Sequence, residues 1–373
     1  MTRATDGKTQ VRDGARCLEQ LQSLLVQGFE NPLGEEGDCR IRLTDGPSVW
    51  SLRIRFSTNG LHFSGPDSNA VSAELTMPVA TAQRLVDDIE TVDFRDPEIM
   101  SKVRLDGNLE NVNRIAKSLL RPSDDALSRM NEAAEKASAA YHIRDVERVE
   151  RPTELELLEA LSEGRPMIVT DPPLPSDSRP WTLERLIEDY GKVPLRVRSA
   201  EQQETIAEFV ESVRDFNAAG AGKIIEGHTK PYTEGCALPI AMRSAFVPGY
   251  FSLHDYIEPQ IWLGSVPVTI PASTLHRDPM DGFLYQIMGR KRLILYSPDQ
   301  APLMYPRKAW NNYQPCWVSP EQPDYQRFPQ FSEAQRLEVI LRPGELLVQP
   351  AGWFHEIYCL DSPTFSVSYF YRH

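Results

Sequence analysis

The chain has 373 residues, of which 41 % are apolar and 9 % aromatic. That is ample for buried cores and excludes disordered, collagen-like and coiled-coil classes, while the length exceeds one ordinary domain of roughly 100–150 residues, so two or three are expected. Lys and Arg number 40 against 53 Asp and Glu, a formal charge of −13, which excludes a surface built to wrap nucleic acid.

The opening MTRATDGKTQVRDG carries no apolar signal region, and no window approaches the ~18 apolar residues of a membrane span. A short helix is predicted around Cys17–Val26. Trp50, Leu52, Ile54 and Phe56 then alternate along a strand, Leu61 and Phe63 along a second, and Ala73, Leu75 and Met77 along a third. Ser57-Thr58-Asn59-Gly60 joins the first two, and its Asn-Gly is a hairpin signal. Ala82, Leu85, Val86 and Ile89 recur at helical spacing. In SKVRLDGNLENVNRIAKSLLRP, Val103 and Leu105 end a strand and Asp106-Gly107-Asn108 turns. Leu109, Val112, Ile115, Ala116 and Leu119 then mark an amphipathic helix stopped before Pro122. Residues 14–122 therefore read as a small α+β domain, and residues 123–140 as a polar linker helix with Ser123 as its N-cap.

A second domain is expected over 141–373. Thr153 and Glu156 have capping-box spacing before a helix that Gly164 ends. Pro166 to Thr170 and Val193 to Arg198 read as strands, and Trp181 to Tyr190 as a helix. Beyond 235, strands dominate: Ile261–Leu263, Phe283–Ile287, Arg292–Tyr296, Leu337–Leu341, Glu345–Gln349 and Phe365–Phe370. Many strands with few helices predict a sandwich or barrel. Prolines crowd 171–180 and 298–329, predicting ordered loops or lids. Trp310, Asn311, Asn312, Tyr313 and Trp317 lie in the second, where they either pack the loop or grip a substrate. The five cysteines, Cys17, Cys39, Cys236, Cys316 and Cys359, never form CxxC. This excludes a thiolate zinc site and fits a reducing, cytoplasmic compartment.

Three segments carry chemistry. In STLHRDP, His276 and Asp278 lie two apart, so on a strand both point to one face. In PGELLVQPAGWFHEI, two turns bracket a short strand and His355 starts the next. Two imidazoles and one carboxylate on facing strands make a triad for a first-row divalent metal, non-haem Fe(II) above all, although a zinc hydrolase uses the same ligands. In DGFLYQIMGRKRLILYSPDQ, Lys291 opens a strand beside the inward Leu293 and Leu295, which is costly unless the ammonium meets an anion. His62, His142, His228, His254 and His373 have no ligand-like neighbours and are read as structural or exposed.

The order and spelling of these motifs resemble the JmjC-type, cupin-like 2-oxoglutarate oxygenases. The matching stretches are RPMIVTDPP, WTLERLIEDYG, IWLGSVPVTIPASTLHRDPMDGFLYQIMGRKRLILYSPDQAPLMYPR and EVILRPGELLVQPAGWFHEIYCLDSPTFSVSYFY. The resemblance implies a double-stranded β-helix (a jelly roll) with Fe(II) held by His276, Asp278 and His355. It implies 2-oxoglutarate on that metal, with its far carboxylate on Lys291, and O2 as oxidant. A hydroxyl three residues before the first ligand usually helps; Ser273 stands there, with Thr274 next to it. An earlier tyrosine usually helps too, and Tyr250 and Tyr256 stand as candidates. Gly282 and Ser368 replace the two asparagines of asparaginyl hydroxylases, leaving Ser368 as a cosubstrate-side residue. Because the chain closes at His373, dimerisation through the C-terminal helices of some relatives is not expected. Over 14–122 the pattern resembles the sterol-carrier-protein fold, which implies an apolar ligand there. The expected activity is a dioxygenase hydroxylating a C–H of a peptide, protein or small molecule. A non-catalytic lipid or acyl carrier is the alternative.

Overall fold

The computed structural model describes residues 13–65, 69–94, 96–139, 145–174, 179–197, 204–220, 231–257 and 259–372. The expectations at His142, His228, His373 and Arg198 lie outside them. The chain divides into two compact units, one taking the described residues to Pro122 with Lys308–Asn311, the other Ser123–Arg307 with Asn312–His373.

In the first unit, the carboxylate of Asp13 accepts from the N–H groups of Ala15 and Arg16 and starts the helix Gly14–Gly28. Five strands form one sheet in the order Gly60–Ser64, Ser48–Ser57, Gly37–Asp45, Ala73–Pro78 and Arg104–Gly107. The central strand, Gly37–Asp45, escaped the sequence reading. Its Cys39, Ile41 and Leu43 alternate into the core, but Arg40 and Arg42 between them make the run look polar. Arg40 is nonetheless buried, paired with Glu74 at 3.1 Å. The turn before the closing helix needs Gly107: its φ is +88°, and a Cβ there would lie 2.2 Å from the Ser72 carbonyl. Asn108 then caps the helix Leu109–Leu119.

The second unit carries the two facing sheets of a double-stranded β-helix, as expected. One holds Gln260–Gly264, Thr364–Phe370, Gly282–Met288 and Leu346–Gln349 side by side, extended by short strands at both edges. The other holds Gln314–Pro315, Ser273–Arg277, Phe354–Cys359, Lys291–Tyr296 and Leu337–Leu341. Strand alternation sorts the side chains. On the first sheet Ile261, Phe283, Tyr285, Val348, Phe365 and Val367 pack outward against Leu157, Leu186, Phe209 and Phe246 of the covering helices. Leu284 and Leu347 point inward and meet Leu293, Leu295, Val339, Leu341 and Ile357 of the second sheet. The covering helix Ile206–Ala218 was not predicted, although Thr205 and Glu208 form a complete capping box at its start. The helix Asp124–Ala139, read as a solvated linker, buries Ala126 and Met130, and Gly352 approaches Ala133 so closely that a Cβ would lie 2.7 Å away.

Trp353 fixes the turn before the second histidine. It is fully buried and its indole N–H donates to the Gly164 carbonyl at 2.9 Å. Trp353→Ala removes both packing and that bond, an expected loss of about 3–5 kcal/mol. Calorimetry should show Tm falling by roughly 6–20 °C.

Candidate metal centre

The antiparallel strands Ser273–Arg277 and Phe354–Cys359 set His276 directly opposite His355, with ring centroids 4.1 Å apart. Asp278 follows two residues after His276, and its Oδ2 lies 3.5 Å from His355 Nε2. One ligand atom from each of the three lies within 4.8 Å of the others. Both imidazoles are held from behind. His276 Nδ1 is 2.6 Å from the Thr274 carbonyl and His355 Nδ1 is 3.1 Å from the Trp353 carbonyl. A carbonyl only accepts, so each Nδ1 carries the proton and each Nε2 keeps its lone pair for a metal. The Gln349 side-chain amide lies 2.7 Å from the same nitrogen of His355; with Nδ1 protonated, it is the amide oxygen, exchanged with the nitrogen by a half-turn of the side chain, that accepts from the ring.

Electrostatics agree with the donor set. Burial, and then His276 beside it, push His355 well below the ordinary imidazole range and keep it neutral. Burial pushes the Asp278 carboxyl up, opposed by His276. A divalent cation relieves both costs, since it needs neutral imidazoles and a bare carboxylate. Two imidazole nitrogens and a carboxylate oxygen grouped on one side fit Fe(II) with positions open for other ligands. Gln349→Leu should weaken metal binding about 10–100-fold by freeing the His355 ring, as chelator competition with Co(II) would show.

Lys291 sits four residues before Leu295, which is the residue opposite His355; Lys291 itself is opposite Cys359. His355 and Lys291 therefore share the inner face, separated by about 13 Å of strand. The lysine is 1 % exposed. Its ammonium donates to Ser366 Oγ at 2.5 Å and Tyr232 Oη at 3.4 Å, and lies 5.9 Å from the Trp262 ring. These groups are neutral, and burial lowers the Lys291 pKa to about 8.

The expected cosubstrate residues separate. A bulge sets Ser273 opposite the inward Ile357 although His276, three residues on, is opposite His355, so Ser273 lies on the inner face between metal and lysine. Thr274 is exposed and contributes only its carbonyl. Ser368 is also on the inner face, but its Oγ accepts from Trp262 Nε1 at 2.7 Å rather than meeting Lys291. Tyr256 is corrected: its ring packs on Phe283 and Tyr369 under the covering helices, on the other side of the sheet. Tyr250 joins the same outer core. Tyr232, preceded by Pro231, is buried beside Lys291; neither it nor Trp262, Ser366 and Gln349, which also reach the inner face, stood out in the sequence. His62 and His254 are exposed, as read.

Residues 152–373 match the family model described as a cupin-like domain. The chain belongs to the JmjC-type cupin-like family. Its relatives include lysine-specific demethylase 8 of Xenopus tropicalis, 36 % identical over 138 residues, which are 36 % of this chain and 30 % of that protein. tRNA wybutosine-synthesizing protein 5 of Danio rerio is 36 % identical over 126 residues, 33 % of this chain and 37 % of its own. JmjC domain-containing protein D of Dictyostelium discoideum is 36 % identical over 114 residues, 30 % of this chain and 25 % of its own. The matches thus span well under half of each relative. The JmjC-type cupins are a family of Fe(II)- and 2-oxoglutarate-using oxygenases. No described helix of this member is long and apolar enough to cross a membrane.

Proposed function

We propose that this JmjC-type cupin is a 2-oxoglutarate-dependent dioxygenase that hydroxylates an unactivated C–H of a peptide, a protein side chain or a natural-product intermediate. The carrying observation is Lys291. Among the described residues this fully buried ammonium, set between hydroxyls and an indole, meets no carboxylate, and burying one is expensive unless an anion joins it. It faces the metal triad along one strand pair, at a separation that suits a short dicarboxylate reaching from metal to lysine. A zinc hydrolase would share the triad and has no use for this lysine.

His276, Asp278 and His355 would hold Fe(II), which when bound would supply the activation of O2 that couples oxidative decarboxylation of 2-oxoglutarate to succinate and CO2 with C–H hydroxylation. The chain's own residues do the rest. Lys291 binds the far carboxylate, with Tyr232 and Ser366 orienting its ammonium. Thr274, Trp353 and Gln349 hold the two imidazoles at Nδ1. Asp278 occupies the ligand position that halogenating oxygenases leave open, which favours hydroxylation. Relatives named for demethylation and for wybutosine synthesis belong to one family with this chain, so the triad and lysine are read as selecting the chemistry and the mouth of the barrel as selecting the substrate.

The test is succinate formation from 2-oxoglutarate by the Fe(II)-loaded full chain in air, screened with peptide and metabolite pools. Metal-loaded protein that forms no succinate with any pool overturns the reading. A pH signature accompanies it. Lys291 binds the dicarboxylate in its charged form, and its pKa in the free protein is about 8. KM for 2-oxoglutarate should therefore be flat below pH 8 and climb about tenfold per unit above it, in steady-state assays between pH 6.5 and 9.5.

A further inference from the structure

The proline-rich insert returns to the metal site through the strand Gln314–Pro315, which pairs antiparallel with the first-ligand strand, Gln314 opposite Arg277 and Pro315 opposite His276. Tyr313 immediately precedes that strand. Gln314 and Arg277 meet on the outer face, where Arg277 Nε donates to Gln314 Oε1 at 2.8 Å. The Tyr313 ring stands edge-on to His276, centroids 5.2 Å apart at 72°.

The backbone that follows the ring is held in place. Gln314 Nε2 donates to the Arg307 carbonyl at 2.8 Å, Cys316 N–H donates to the Leu275 carbonyl at 3.0 Å, and Pro315 restricts the backbone before it. Yet Tyr313 is 42 % exposed. An aromatic ring left open to solvent beside the candidate metal ligands is the kind of surface that gains most when a ligand covers it.

We propose that Tyr313 is a positioning and specificity-determining residue: its ring props the imidazole of His276 and forms the wall against which the substrate's reacting group is held. This rests on the oxygenase reading for its second half only. The wall suits an uncharged alkyl or planar group that can lie against an aromatic edge.

Two measurements test it. The first uses metal alone: Co(II) affinity of the full chain by chelator competition. Tyr313→Ala should weaken binding on the order of tenfold, and Tyr313→Phe, which keeps the ring, should match the parent. Equal affinity of all three overturns the prop, and this arm holds whether or not the protein turns over 2-oxoglutarate. The second uses the Fe(II)-loaded chain with 2-oxoglutarate and isotopically heavy O2 but no other substrate. A C–H standing where substrate stands is then oxygenated in its place: 2-oxoglutarate loses CO2 and becomes succinate with one oxygen atom, and the other enters a ring C–H as C–OH. Peptide mass spectrometry should find one heavy oxygen on the Tyr313 peptide in the parent and in Tyr313→Phe, and none there in Tyr313→Ala. Succinate formed with Tyr313 unlabelled overturns the wall. Absence of succinate overturns the oxygenase reading and with it the wall, leaving the prop to the Co(II) result.

Discussion

Replacing Lys291 by methionine should weaken cosubstrate binding strongly and, at the same time, make the protein more stable. In the free protein the ammonium is fully buried beside Ser366, Tyr232, Trp262 and Cys359. Exchanging such a charge for an apolar side chain of similar volume is commonly neutral or stabilising by about 1–4 kcal/mol. The bound dicarboxylate, however, loses a buried charged partner, a cost of about 2–5 kcal/mol, or roughly 30- to 4,000-fold in KM for 2-oxoglutarate. Thermal denaturation and a KM determination on one preparation check both signs. A variant that is less stable and binds 2-oxoglutarate normally would show Lys291 to be a packing residue.

His276→Ala should remove metal binding and all succinate formation while leaving the fold intact. Structural zinc sites of four ligands contribute about 10–16 kcal/mol, so one ligand of a set is worth roughly 2.5–4 kcal/mol, or about 60- to 700-fold in affinity. The side chain is only half-buried, so its loss opens no large cavity, and circular dichroism should be unchanged. Residual Co(II) affinity within tenfold of the parent would place the metal elsewhere.

What was legible in the sequence follows from how local each signal is. His276 and Asp278 declare their shared face because alternation along a strand is a property of two residues. Lys291 declared itself as a charge beside Leu293 and Leu295. Tyr232, Trp262 and Ser366 gave no such signal, since what brings them to Lys291 is the register of strands far apart in the chain: Trp262 is opposite Ser366, and Lys291 opposite Cys359. Tyr256 failed for the converse reason. It neighbours a barrel strand in sequence, but its bridge to Tyr371 places it with the outward Phe283 and Tyr369. The strand Gly37–Asp45 and the helix Ile206–Ala218 were legible in principle. Cys39, Ile41 and Leu43 keep a period of two, and Ile206, Phe209, Val210 and Val213 keep helical spacing behind a capping box. Interleaved arginines concealed the first.

The rigid strand pair that carries His355 and Lys291 also acts as a gauge of chain length. The separation between metal ligand and ammonium is set by four backbone steps of about 3.3 Å, and a strand can adjust only in whole steps, the smallest of which turns every side chain to the opposite face. A 2-oxo acid with one carbon more or fewer misses the lysine by a fraction of a step that no slip of register recovers. Discrimination among such homologues thus resides in hydrogen-bonded backbone, and it should survive substitutions at the barrel mouth that change which substrate is oxidised.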